Sequence, residues 1–167
     1  MPGAISDNRI VINAETTPLF RSSGRPGYTD EIGGNPKRVV ARKLEREVQV
    51  RFAREACTVQ TNEGLVHAKR GDAILTGING EHWRVSQARF PDKYRPASAT
   101  KAGDDGAYIS LPNRVFAVQM STAFEVLLAD GESKLGGRVD DWLVDYGDGS
   151  LGIVSKRVFS TTYEIVG

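Results

Sequence analysis

Residues 85–94 read "VSQARFPDKY", and residues 154–163 read "VSKRVFSTTY". Val, Ser, Phe and Tyr stand at the same four places, sixty-nine residues apart. At that offset the two halves align without a gap from Gly71/Asp140 to Tyr94/Tyr163. The identical pairs include Asp72/Asp141, Gly80/Gly149, Phe90/Phe159 and Tyr94/Tyr163. A phrase written twice at a fixed spacing marks a structural repeat, here two units of roughly 55–60 residues.

Each unit reads as a small sheet. Arg38–Ala41 ("RVVA") and Arg114–Ala117 ("RVFA") are β-branched and aromatic runs, hence opening strands at offset 76. Cys57–Thr61 and Phe124–Leu128 are second strands. Ala73–Thr76 and Trp142–Asp145 then lead into Asn79-Gly80 and Asp148-Gly149, dipeptides that supply the positive φ of a tight turn, and return as His82–Val85 and Leu151–Val154. Ser86 and Ser155 offer a side-chain oxygen to cap a following helix. Phe90/Tyr94 and Phe159/Tyr163 are spaced four apart, so one helical turn carries both rings on one face. The phrase is a capped turn that plugs a sheet with two aromatics, and Pro91 keeps the first one short.

The expected fold is α+β, mostly β: two related antiparallel-sheet units with short capping helical turns. Residues 1–36 form an N-terminal arm, extended or partly disordered, with one candidate strand at Arg9–Ile12. Residues 37–97 are the first unit, 98–112 a linker and 113–167 the second unit. The opening-strand offset gives the first unit nine extra residues within Arg42–Ala56. There, Glu47/Arg51 and Arg51/Glu55 at helical spacing favour a surface helix, although Val48-Gln49-Val50-Arg51-Phe52 alternates as a strand would. Two units in one chain mimic a homodimer, so a cleft between them is expected, and self-association stays open.

Net charge is +1, yet residues 37–97 carry +6 and residues 98–167 carry −4. The basic half can face an anion, or the two halves simply attract each other. No apolar run approaches the ~20 residues of a membrane span, and no basic-then-apolar leader opens the chain. The single cysteine, Cys57, reads as a small buried residue, and the cytoplasm is the simplest compartment.

Around "RGDAILTGINGEHW" (Arg70–Trp83) the chain resembles the PGDYG domain of phage and prophage proteins. The first unit keeps Glu63-Gly64, Gly71-Asp72, Gly80-Glu81, Phe90 and Tyr94, and departs at Arg70 and Ala73. The second keeps Asp141-Trp142 but has Asp140 and Ser150 where the pattern has Gly and Glu. The segment Asp140–Tyr163 is also similar to the closing part of the Thoeris anti-defence proteins. Those are small β-rich proteins that sequester a nucleotide signal, which implies a non-enzymatic nucleotide-binding role.

The chain contains no CxxC, HExxH, GxxxxGK[ST], GxGxxG or GxSxG. No metal or cofactor is expected. Asp72 and Asp141 each precede a strand, where a carboxylate accepts backbone N–H groups of a turn. The expected function is a binding protein holding an anionic small molecule, such as a nucleotide, or a protein between its repeats. His82, Trp83, Arg84, Arg89, Lys93 and Trp142 are the expected ligand contacts: indole faces to stack and cations to meet an anion. Two alternatives remain, a structural interaction module and a small hydrolase-like enzyme using Asp72, Glu81 and His82. Near-neutral charge and the lack of a reader motif argue against nucleic acid.

Overall fold

The computed structural model describes residues 17–167. The candidate strand Arg9–Ile12 and the rest of residues 1–16 lie outside this range. Fifteen strands and two short helices follow in order. The first part comprises β1 (Leu19–Arg21), β2 (Val39–Lys43), β3 (Glu47–Phe52), β4 (Cys57–Thr61), β5 (Gly64–Ala68), β6 (Ala73–Thr76), β7 (His82–Val85), α1 (Phe90–Lys93) and β8 (Tyr94–Pro96). The second comprises β9 (Gly106–Ser110), β10 (Arg114–Gln119), β11 (Phe124–Leu127), β12 (Lys134–Gly137), β13 (Trp142–Asp145), β14 (Leu151–Val154), α2 (Lys156–Thr162) and β15 (Tyr163–Ile165). The protein is mostly β with small antiparallel sheets and one parallel pair, β1 with β11. Among the described residues no helix is long and apolar enough to cross a membrane.

Two five-stranded sheets share one plan. One is ordered β7-β6-β3-β9-β8 and the other β14-β13-β10-β2-β15. Their edges and hairpins come from one unit each, but the fourth strand does not. β2, which opens the first unit, lies between β10 and β15 of the second. β9, which opens the second unit, lies between β3 and β8 of the first. The units therefore exchange their opening strands.

This exchange corrects the sequence alignment. "RVVA" and "RVFA" belong to β2 and β10, which are paired neighbours rather than equivalents, with Ala41 opposite Val115. The true counterpart of β10 is β3, and the counterpart of β2 is β9, which lies inside the expected linker. Both pairs stand sixty-seven residues apart, so the supposed nine-residue insertion disappears. The expected helix over Arg42–Ala56 is also replaced by β3. Val48 and Val50 point inward while Glu47, Gln49 and Arg51 share the exposed face. The charge spacing that suits a helix suits the wet side of a strand equally well, and the buried β-branched alternation decides the outcome.

Three apolar cores result. Val48, Val50, Leu75, Phe90, Tyr94 and Tyr108 fill the first unit's outer core, and Ala41, Val115, Trp142, Val144, Phe159 and Tyr163 fill the second's. Tyr108 and Ala41 are the contributions of the exchanged strands. A central core, including Ile74, Leu143, Val59, Val126 and Phe124, joins the units. Successive residues of β6 and β13 face the outer and central cores in turn, so both hairpin strands are covered on both faces.

The repeated phrase behaves as expected in packing and only half as expected in capping. Phe90 stacks on Tyr94 at 5.3 Å and Phe159 on Tyr163 at 4.9 Å. Ser155 caps α2, its Oγ accepting the Val158 N–H at 3.2 Å. Ser86 does not cap α1. Pro91 delays that helix until Phe90, and the Ser86 carbonyl accepts the Arg89 and Phe90 N–H groups instead.

The described part of the N-terminal arm is docked on the second unit. β1 adds a parallel strand to β11. The Asp145 carboxylate, fully buried, accepts the Thr29 N–H at 2.8 Å, the Thr29 hydroxyl at 3.0 Å and the Gly147 N–H at 3.0 Å. Tyr28 stacks on Phe116 at 4.0 Å, and the Arg38 guanidinium sits 4.2 Å from the same ring.

Candidate functional site

A partly enclosed cleft of about 230 Å³ lies between the units. Its walls are β7 and α1 on one side, β14 and α2 on the other, with β2 contributing Lys43. Residues at matching places of the two sheets line it together: Val85 and Val154, Ser86 and Ser155, Tyr94 and Tyr163.

The frame is symmetric and the chemistry is not. On the first wall stand His82, Trp83 and Arg84 of β7 with Arg89 and Lys93 at α1. Their counterparts on the second wall are Leu151, Gly152, Ile153, Val158 and Thr162. One wall carries the cations and an indole, and their counterparts on the other are uncharged. The bulk is exchanged too. Gly152 leaves space that Tyr146 fills, since a methyl there would lie 2.9 Å from the Tyr146 ring. Tyr146 is itself the counterpart of Gly77 on the first hairpin.

Five of the six expected contacts therefore line the cleft: His82, Trp83, Arg84, Arg89 and Lys93. Trp142 does not. It is only 9% exposed and stacks face to face on Phe159, with ring centroids 4.0 Å apart. Its place just before the buried Leu143 and Val144 commits it to the outer core.

The cations of the first wall are tied across the cleft. Lys93 Nζ lies 3.2 Å and Arg89 Nε 3.6 Å from the Asp148 carboxylate, which sits at the tip of the second unit's hairpin. Burial pushes the Lys93 amine below its ordinary range. Asp148 opposes that effect, while the nearby Lys43 ammonium adds to it. Burial alone would raise the Asp148 carboxyl, but the Lys93 ammonium and hydrogen bonds from Ser150 hold it below the usual carboxylate range. Arg84 pairs with Asp72 at 3.3 Å. Its Nε and the Ser86 hydroxyl are buried without a hydrogen-bond partner.

At the base of the cleft, Lys43 Nζ donates to the Tyr94 hydroxyl at 2.9 Å. The same ammonium lies 5.0 Å from the Tyr94 ring, 5.8 Å from Trp83 and 5.9 Å from Tyr163. Lys93 Nζ sits 4.0 Å from the Tyr146 ring. Burial pushes the Tyr146 and Tyr163 hydroxyls well up, so both remain protonated. Near the β4–β5 turn, Glu63 is pushed up to about 7 by burial and then by the Asp141 charge.

Asp72, Glu81 and His82 do not all line one cleft. Glu81 and His82 reach the cleft, but Asp72 is buried behind it. Asp72 accepts the Lys69 and Gln87 N–H groups at 2.8 and 3.0 Å, as a turn carboxylate does. Asp141 likewise accepts the Arg138 N–H at 2.9 Å. His82 is exposed, with Nδ1 3.0 Å from the Thr76 hydroxyl.

Sequence reading did not single out Lys43, Tyr146 or Glu63. Lys43 is the counterpart of Ser110, and the shifted opening-strand alignment concealed that pairing. A repeat alignment anchored on alternation in β3 and β10 would have exposed a lysine where its twin has a serine. Tyr94 and Tyr163 were legible as core rings, yet their hydroxyls reach the cleft.

No curated protein and no solved structure matches this chain. Residues 64–164 match the PGDYG protein family in a single stretch that runs from β5 into β15, through both units. With that match covering well over half of its length, the chain belongs to the PGDYG protein family.

Proposed function

We propose that this protein binds a small anionic molecule in the cleft between its two units and does not transform it. The observation that carries the reading is the one-sided cleft: Trp83, Arg84, Arg89 and Lys93 line it on the first unit's side, where their counterparts on the other are uncharged. On this reading the two sheets are diverged copies of one unit, and the first copy kept the polar contacts. A cleft with a few convergent polar groups on an apolar surface is the usual form of a small-molecule site. The commitment of Asp72 to Arg84 and two backbone amides weighs against hydrolysis through that residue. The proposed setting is the cytoplasm, where nucleotide-type anions are abundant. The similarity of Asp140–Tyr163 to nucleotide-sequestering proteins makes nucleotides the first class to screen.

The test is a thermal-shift screen of nucleotides, cyclic nucleotides and related anions, repeated on Trp83→Ala. A ligand at ~100 times its dissociation constant should add ~2.7 kcal/mol of stability. The shift should shrink in the variant. A hit untouched by Trp83→Ala would place binding elsewhere, and release of product from a bound compound would refute a purely binding role.

A further inference from the structure

The two lysines at the base of the cleft define what its ligand carries. We propose, building on the cleft reading, that Lys43 and Lys93 form an oxyanion seat for a carboxylate or phosphate. The rest of that ligand is a planar group lying against Trp83.

The seat is made by the strand exchange. β2 passes from the first unit into the second unit's sheet, with Lys43 opposite Tyr163 in register. From there the side chain reaches back to the Tyr94 hydroxyl of the first unit. Its counterpart Ser110 is used internally, donating to the Leu44 carbonyl at 2.8 Å and accepting the Arg46 N–H at 2.9 Å. Lys43 instead presents its ammonium to the Tyr94 hydroxyl and to aromatic rings of the cleft. Among the described residues no carboxylate pairs with it, and it is only half-exposed. An ammonium taken partly out of water beside a second ammonium is unfavourable until an anion joins them.

The surroundings suit that anion. Lys93 lines the same cleft as Lys43, and the Lys43 charge adds to the lowering of its amine. Lys93 shares its single carboxylate, Asp148, with Arg89, so two cations hold one anion there. The hydroxyls of Tyr94, Tyr146 and Tyr163 can donate toward the same place. The Trp83 ring, 5.8 Å from Lys43 Nζ, flanks the seat on the first wall. The other wall supplies apolar side chains, Val154 and Val158 among them. An oxyanion on the lysines thus places an attached ring between indole and aliphatic wall.

The test is calorimetric titration of the full chain with adenosine monophosphate and with indole-3-carboxylate. Each is compared with its neutral counterpart, adenosine or indole-3-carboxamide. The expected result is that at least one anion binds tenfold or more tighter than its neutral partner. Lys43→Met should remove that preference at unchanged melting temperature, and Lys43→Arg should restore part of it. Trp83→Ala should weaken both members of a pair alike. A preference confined to the phosphate or to the carboxylate would identify the oxyanion. Equal binding of anion and neutral partner, or a preference that survives Lys43→Met, would overturn the seat. In that case, sensitivity of both to Trp83→Ala would leave the cleft reading standing. No binding by any of the four would also overturn it.

Discussion

Val40 in the first unit's opening strand lies directly opposite Phe116 in the second unit's sheet. One residue on, Ala41 is fully buried in the second unit's outer core, against Trp142 and Phe159. A segment that precedes the first unit's sheet in sequence is therefore structural material of the other one.

Hydrogen exchange should show this directly. The amides of Val39–Lys43 should be protected together with Arg114–Gln119, and Ala41→Leu should loosen both. Overpacking at such a site costs about 1–3 kcal/mol. If Ala41→Leu instead accelerated exchange in Glu47–Phe52 and spared Arg114–Gln119, the exchanged topology would be wrong.

The equivalent hairpin glycines should respond differently to the same substitution. Gly80 has φ +79° with open space around it, so Gly80→Ala carries only the left-handed backbone cost, about 1–2 kcal/mol. Gly149 has φ +88°, and a methyl there would lie 2.1 Å from the Arg25 carbonyl oxygen. Gly149→Ala should destabilise more and release the arm, read as faster proteolysis within residues 17–36. Equal effects of the two variants would mean that the arm is not seated on this turn.

Stability should fall as pH rises through the range in which Glu63 titrates. Its carboxyl is held at about 7 in the fold against an ordinary value of 4.5. Between these values the unfolded chain has lost the proton that the folded chain keeps, so raising pH favours unfolding there. The penalty is absent below about 4.5 and complete above about 7. Glu63→Gln should flatten this part of the melting-temperature profile and melt higher than the parent at pH 8. Parallel profiles for the two proteins would rule out a buried, strained carboxyl.

The two tryptophans should separate by role. Trp142→Ala removes the ring stacked 4.0 Å from Phe159 and should cost about 3–5 kcal/mol in denaturant unfolding. Trp83→Ala, at a half-exposed site, should cost under about 1.5 kcal/mol. A large loss at Trp83 would make it a core residue rather than a cleft wall.

Much of the fold was legible because local signals agreed with tertiary ones. The hairpins 73–85 and 142–154 follow from Asn-Gly and Asp-Gly between apolar runs, and the Phe/Tyr pairs fall where a buried turn needs them. What escaped was non-local. Nothing in "VVARK" says which sheet it will join, since a β-branched run pairs as readily with one unit as with the other. β12 was missed because "KLGG" is short and its glycines hide the alternation. The first wall of the cleft was readable as a row of cations and an indole on one strand. Lys43 was not, because its position depends on a strand crossing between units.

A ligand on the axis of a true homodimer meets two identical half-sites, and turning it end for end changes nothing. Here the two sheets share one strand order, while Trp83 has Gly152 and Lys93 has Thr162 as its counterpart. Head and tail are therefore distinguishable. A molecule seated in this socket has one sense of insertion and one copy per chain, and a single-copy dimer would lose that polarity.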